Sequence, residues 1–357
     1  MTEPPHHRRP HAGRPAGDRL GPPAHEADGA DGAPEIAVVI AVHDVEQYVA
    51  ETMDSLLAQT WPRWSCVVVD DGSRDGTAEA LAPYLHDQRV RLLQQPQAGS
   101  AAARNAGLAA VAPEVPLVAF LDGDDTWLPD ALERLADALL ADPRAVGAYG
   151  LAEYMDEASR PVRVGEHPWR QRDRRRMRGH RIASVPRGED TDFGVLLVSG
   201  PIWPSAVALH RHDVVRRVGG FDERLRLQQD WDLYIRQSRS GHFTVLDEQV
   251  AWYRQHGTNV THRTVQRVYF QDAVRRKTWA DAANSAAQRH EAVRAWRALQ
   301  ARRVLASARR GRAALERRDR RATAHSLRAT LTLCAQMLGS RPPLPDADAI
   351  ARTGRAL

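Results

Sequence analysis

The 357-residue chain predicts an α/β fold, a doubly wound and mostly parallel sheet followed by a helical extension. Three observations predict it. Short continuous apolar runs, the pattern of strands covered on both faces, alternate with segments of helical spacing between residues 36 and 140. Acidic, glycine-containing turns follow two of those runs directly, where a doubly wound sheet presents its ligand-binding loops. Beyond residue 263 the pattern changes to arginine-studded stretches of helical character.

Residues 1–34 are rich in Pro, Gly, His and Ala and carry no hydrophobic period, so they cannot offset the entropy of ordering, and a disordered tail is expected. His6-His7 in that tail reads as incidental rather than metal-binding. Order begins at Ile36–Val42, a run suited to a strand buried on both faces. Val49, Met53, Leu56 and Leu57 then give helical spacing over Glu46–Gln59. Cys66–Val69 predicts a second strand, Thr77–Leu85 a helix and Val90–Leu93 a third strand. Ala101–Ala110 predicts a helix, Leu117–Leu121 a fourth strand, and Pro129–Leu140 a further helix. From Met155 to Asp192 the chain is polar and arginine-rich without a clean period, which predicts a long, partly mobile excursion, either functional or a plain solvated insertion. Regular structure resumes at Gly194, and Val265–Met337 predicts two or three helices. Gly339–Leu357, with Pro342, Pro343 and Pro345, reads as a frayed end. The expected organisation is a 1–34 tail, a 35–262 α/β domain, a 263–338 basic helical extension and a flexible 339–357 terminus.

The sequence pI of 9.6 invites a nucleic-acid reading until the charge is located. Lys277 is the only lysine, and residues 263–328 hold 18 basic against 5 acidic side chains, a net of +13. With a whole-chain charge of +5, the other 291 residues sum to −8. The basicity therefore belongs to the extension. That segment has no nucleic-acid-binding motif and few aromatics beyond Tyr269, Phe270, Trp279 and Trp296, so no nucleic-acid partner is expected. Two cysteines far apart, Cys66 and Cys334, exclude a disulfide-stapled miniprotein. No run approaches the roughly 20 apolar residues of a membrane span. The start of the chain lacks the apolar stretch of a secretory signal, so a reducing cytoplasm is the expected location.

The chemistry-bearing residues lie in the turns. Asp70-Asp71-Gly72-Ser73-Arg74-Asp75-Gly76 closes the second strand; a carboxylate there suits a ligand N–H, Gly72 permits a tight turn, and Asp75 suits the start of the next helix. Asp122-Gly123-Asp124-Asp125 closes the fourth strand. Three carboxylates in four residues repel one another, which points to a divalent cation with oxygen ligands or else to a solvated acidic turn. Between them, Gly99-Ser100 opens a helix whose free N–H groups suit an anion, and Arg104 and Asn105 follow about one turn on.

Several motifs follow one another along the chain: the run Ile36–Val42, Ser55-Leu56-Leu57-Ala58-Gln59-Thr60, Val68-Val69-Asp70-Asp71-Gly72-Ser73, Ala103-Arg104-Asn105 and Phe120-Leu121-Asp122-Gly123-Asp124-Asp125. Further on come Val218-Gly219-Gly220-Phe221-Asp222-Glu223, Gln229-Asp230-Trp231-Asp232-Leu233 and Trp252-Tyr253-Arg254-Gln255-His256. Each is weak alone; in this order across about 220 residues the set resembles glycosyltransferase family 2 with the GT-A fold, and the resemblance is specific.

The resemblance implies roles. Asp70 or Asp71 would accept from a uracil-like base with Arg104 nearby, and Val42 and Gly123 would complete the nucleotide side, the contact near Val42 being partly backbone. Asp122 and Asp124 would form a DXD motif holding Mn2+ or Mg2+, with His256 as the family's histidine near the metal or diphosphate; a structural histidine is its rival. Gly200, Gly220 and Trp231 would line the sugar and acceptor side. Asp230 would be the general base of an inverting displacement, its alternative being an N-cap of the helix from Trp231 to Arg239. The implied partners are a nucleotide-sugar donor, with uridine the expected nucleoside, and a hydroxyl of a glycan or lipid-linked acceptor in bacterial cell-envelope polysaccharide synthesis. Peripheral contact of the basic helices with the inner membrane face is compatible with such an acceptor, and solvated packing helices are the alternative. Two departures stand out: His43 where the family has an aromatic residue, and Gln229 in place of the usual Glu. The second motivates the rival reading of a nucleotide-sugar-binding protein with weak or no turnover. A nucleotidyltransferase would need a basic, glycine-rich loop after its first strand, and His43-Asp44-Val45-Glu46 is not one.

Overall fold

The computed structural model describes residues 33–162, 173–257, 259 and 264–338; residues 1–32 of the expected 1–34 tail and the terminus at 339–357 lie outside them. The first half follows the apolar pattern. Strands β1 (Ile36–Val42), β2 (Trp64–Asp70), β3 (Val90–Gln94) and β4 (Leu117–Asp122) alternate with α1 (Val49–Leu57), α2 (Thr77–Leu81) and α3 (Ser100–Ala110). Their side chains are buried on both faces in β1, β2 and β4, because helices cover both sides. The predicted helix over Thr77–Leu85 stops early: α2 ends at Leu81 and tightens into a 3-10 turn over Ala82–His86, with Pro83 in its first positions.

The second half adds β5 (Thr126–Trp127), α4 (Ala131–Ala141), β6 (Ala145–Met155), β7 (Arg175–Arg178), β8 (Arg181–Ser184) and α5 (Phe193–Val198). After these come β9 (Ala208–Arg211), α6 (His212–Arg217), α7 (Gln229–Gln237) and β10 (His242–Arg254). One eight-stranded sheet results, in the order β3-β2-β1-β4-β9-β6-β10-β5. β1 pairs in parallel with both β2 and β4, whereas β9 runs antiparallel between β4 and β6. The sheet is therefore mixed. The connections diverge on either side of β1, and the crevice beyond the carboxyl ends of β1 and β4 is the switch point where such sheets bind ligands.

The arginine-rich excursion is not simply solvated. Residues 163–172 lie outside the described set, but β7 and β8 form an antiparallel hairpin packed on α5. Arg174 is buried and donates to the carbonyls of Glu189 and Pro186. The basic segment folds as three helices, α8 (Thr264–Ala280), α9 (Ala286–Glu316) and α10 (Arg320–Leu338). α8 packs on α7, α9 packs on α5 and the β7–β8 hairpin, and α10 packs back on α9. Lys277 on α8 bridges two carboxylates, Asp222 at 2.6 Å and Asp232 at 2.8 Å, so the chain's single lysine pins the extension to α7 and the loop before it. No helix among the described residues is long and apolar enough to cross a membrane.

Candidate active site

The loops after β1 and β2 are laced together. Asp44 N–H donates to Ser73 Oγ at 3.1 Å, Arg74 N–H to Asp44 Oδ1 at 2.7 Å, and Val45 N–H to Thr77 Oγ1 at 2.9 Å. Gly72 stands at φ +72°, and a Cβ there would meet the backbone nitrogen of Gln97 at 2.9 Å, so the tight turn expected of it is present. The two acids of this turn differ. Asp71 is saturated: it accepts from Gln95 Nε2, Ala98 N–H and Gly99 N–H at 2.7–2.8 Å. Asp71 therefore ties down Ala98 and Gly99, the two residues leading into α3, and not the first N–H groups of the helix itself. Asp70 accepts Ser73 N–H on Oδ1, and its Oδ2 has only a 3.5 Å contact with Gln94, which leaves acceptor capacity for a ligand. Val42 lies at the end of β1 with its carbonyl accepting Asp71 N–H.

The acidic turn after β4 is held from beneath. Thr52 on α1 donates to the carbonyls of Gly123 and Asp125 at 3.0 and 2.8 Å. Gly123 lies against β1, where an added Cβ would meet Val42 Cγ1 at 2.6 Å and Val45 Cγ2 at 3.2 Å. Gly123→Ala is expected to overpack this junction and lower the unfolding free energy by about 1–3 kcal/mol, checked by urea titration against wild type. An unchanged midpoint would show that the turn yields freely.

The three carboxylates of this turn are not equivalent. Asp125 is fully buried, accepts Arg254 N–H at 3.1 Å on Oδ1 and has no protein partner on Oδ2. Burial, then Asp124 and Asp122 beside it, push its carboxyl well above the usual range, which eases the repulsion expected among the three carboxylates. Asp124 Oδ2 lies 2.8 Å from His256 Nε2. Asp122 is engaged by the buried Arg104 guanidinium on Oδ1 and by Ser205 Oγ at 3.2 Å on Oδ2. Asp124 and His256 thus offer adjacent oxygen and nitrogen donors, a pair that fits a divalent ion. Asp122 is turned toward Arg104. Among the described residues, the three-residue group whose ligand atoms all lie within 4.8 Å of one another is a different one, Asp142, Asp190 and His242. Asp142 and His242 stand near the amino-terminal ends of the parallel pair β6 and β10, at the edge opposite the acidic turn.

Asp230 comes from the other half. α7 begins at Gln229 with Gln228 as its cap, in the left-handed region at φ +63°, so Asp230 sits inside the first turn rather than at the N-cap. Its Oδ1 accepts Trp231 N–H at 2.8 Å. Burial raises its carboxyl above the usual range; Arg104 draws it down and Asp122 pushes it up, which places the guanidinium within electrostatic reach of both acids. Gln229 Nε2 donates to Ser100 Oγ at 2.8 Å, tying the start of α7 to the start of α3. Gly220 adopts φ +63° and lies on Asn105, whose amide donates to Phe221 O and whose oxygen accepts Phe221 N–H. Phe221 packs edge-on to Phe120 with ring centroids 4.8 Å apart. Gly200 lies over the ring of Trp231, which is buried and donates to Leu196 O, so this tryptophan supports the site from behind.

Sequence reasoning gave no role to Arg254, one of the largest side chains removed from solvent. Its Nε donates to Asp124 O at 2.9 Å, Nη1 to Ser159 Oγ at 2.7 Å and Nη2 to Glu51 Oε2 at 2.5 Å. Tyr48 stacks beside both Arg254 and His256. Ser205, which contacts both Asp122 and Arg104, was also missed. The signal available for Arg254 was its place in the same short run as His256.

Residues 37–193 match the family described as "Glycosyl transferase family 2". An uncharacterized glycosyltransferase of Nostoc sp. (strain PCC 7120 / SAG 25.82 / UTEX 2576) is 28% identical over 232 residues, 63% of this chain and 66% of that protein. The match thus spans just under two thirds of that relative's length. Among solved structures, S. aureus TarS 1-349 in complex with UDP-GlcNAc has a TM-score of 0.54 at 16% identity, over 74% of this chain and 72% of that one. Mannosyltransferase PcManGT from Pyrobaculum calidifontis, in complex with GDP-Man and Mn2+, has a TM-score of 0.53 at 19% identity, over 90% and 80% of the two chains. At these identities the likeness concerns the fold.

Proposed function

Because this chain belongs to glycosyltransferase family 2 and has the GT-A fold, we propose that it transfers a sugar from a nucleotide-diphosphate donor, with uridine the preferred nucleoside, to a hydroxyl of a glycan or lipid-linked acceptor, inverting the anomeric centre. The observation that supports this reading is the buried Arg104, paired with Asp122 at the end of β4 and within electrostatic reach of Asp230 at the start of α7. Asp70 accepts from the base. Asp230 removes the proton of the acceptor hydroxyl as its oxygen bonds to the anomeric carbon and the bond to the diphosphate breaks. Attack opposite the leaving group is what inverts the centre. Asp124 and His256 would hold Mn2+ or Mg2+, with Asp122 beside them on Arg104, and the ion would supply Lewis-acid neutralisation of charge on the departing diphosphate. Gly200 and Gly220 border the acceptor side. The setting that fits this role is cytoplasmic, peripheral to the inner membrane face, in cell-envelope polysaccharide assembly.

The test is a panel of UDP- and GDP-sugars assayed for hydrolysis and transfer with Mn2+ and with chelator. Turnover of one donor supports the reading; UDP binding without turnover of any donor favours the binding-protein alternative, for which Gln229 in place of the usual Glu is the motive. A pH profile adds a second check. A base must be ionised, and burial raises Asp230, so the rate is expected to rise with pH through a midpoint above the ordinary aspartate value of about 3.9 and to be lost below it. A rate flat across the whole acid range would remove Asp230 from the role.

A further inference from the structure

The hairpin of α9 and α10 carries an unpartnered apolar face whose direction can be read from its contacts. Ser307 Oγ donates to Ser326 O at 3.1 Å, and a Cβ on Gly311 would lie 3.2 Å from Ser326 Cβ, so Ser307, Gly311 and Ala314 face α10 and Ser326 faces back. Leu315 is one residue past Ala314, Leu327 is one past Ser326, and Leu331 follows at i+4; each step turns about 100° from the contact line. Because the helices run antiparallel, steps in the same sense lead to the same side of the pair. Leu315, Leu327 and Leu331 therefore share one side, and they are 66%, 60% and 63% exposed. Arg303, four residues before Ser307, turns the opposite way and pairs with Asp272 of α8 at 2.6 Å. The leucine side thus faces away from the body of the protein.

The hairpin is also basic: from Arg297 to Leu331 there are eleven arginines against only Glu316 and Asp319, of which Arg302 and Arg303 reach the body at Ile182 and Asp272. Arg320 lies seven residues before Leu327 and shares its face, Arg312 lies three before Leu315, and Arg328 lies three before Leu331; all three are exposed, Arg312 with an i,i+4 contact to Glu316. A second copy of this chain would bring two such positive faces together, which like-charge repulsion opposes. We infer that the α9–α10 hairpin docks on an anionic phospholipid surface, with Leu315, Leu327 and Leu331 entering the headgroup boundary and Arg312, Arg320 and Arg328 meeting lipid phosphates. Apolar burial and attraction to anionic lipid are the two terms that hold such helices at an interface. The inference gives the peripheral position a surface and does not depend on the sugar-transfer chemistry.

Sedimentation of the full chain with vesicles tests it, using phosphatidylcholine alone and phosphatidylcholine with phosphatidylglycerol in equal parts. Binding is expected only to the anionic vesicles, with release as salt shortens the Debye length. The triple variant Leu315→Ser, Leu327→Ser, Leu331→Ser is expected to lose about tenfold or more in vesicle affinity, as is Arg312→Gln, Arg320→Gln, Arg328→Gln, each with an unfolding curve like wild type. No binding to anionic vesicles, equal binding to both compositions, or full binding by the leucine variant would overturn the inference. So would a concentration-dependent dimer in solution that the leucine variant abolishes.

Discussion

Asp230→Asn is expected to reduce sugar transfer by roughly 10²–10⁴-fold, the usual worth of a general base, while UDP binding measured by calorimetry stays within about twofold of wild type. The amide keeps the shape of the side chain and can still accept Trp231 N–H, but it cannot take a proton. The unfolding free energy is expected to be unchanged or slightly higher, since burial opposes the charge that the substitution removes. Loss of turnover together with a lower unfolding free energy would mean that the carboxylate's role was structural. Retained turnover would move the base elsewhere on this edge of the sheet.

The opposite signature is expected of Arg254→Met. The methionine fills much of the volume but leaves Asp124 O, Ser159 Oγ and Glu51 without the donors that now reach them. Removing hydrogen bonds to a charged, buried group costs about 1.5–3 kcal/mol each at most, and Glu51 recovers part of its share from water, so a net loss of roughly 3 kcal/mol is expected in urea unfolding. Arg254→Lys should restore only part of this, because an ammonium cannot span three acceptors set around a planar guanidinium. Nucleotide binding is expected to weaken as well, since the same arginine supports the turn carrying Asp122 and Asp124. An unfolding free energy within experimental error of wild type would refute the structural role assigned here.

These two residues also mark how far the sequence could be read. β1, β2 and β4 were legible because strands buried on both faces must be apolar throughout, and the acidic turns followed from where those runs end. β6 and β10 were less so. β6 contains Gly147 and Gly150, which ordinarily weaken a strand; here a Cβ on either would run into Phe243 or Val250 of β10 at about 2.7 Å, so the glycines are the condition for close pairing. β10 mixes buried and exposed positions over thirteen residues without clean alternation, because its register against β6 shifts three times. Arg254 was missed because an arginine in such a run reads as surface, and its carboxylate partner Glu51 is 203 residues away along the chain. The pattern placed Asp70 and Asp71 in the turn that closes β2, at the ligand edge expected of such a sheet. Only the fold shows Asp71 spent on the loop at residues 95–99 and Asp70 left with acceptor capacity.

Lys277 gives the protein an unusual chemical simplicity. Apart from the terminal amine, an amine-directed reagent finds one address in the whole chain, and that nitrogen is clasped between Asp222 and Asp232 while α8 is seated on α7. Acylation of a single residue therefore becomes a reporter of whether the helical extension is in place.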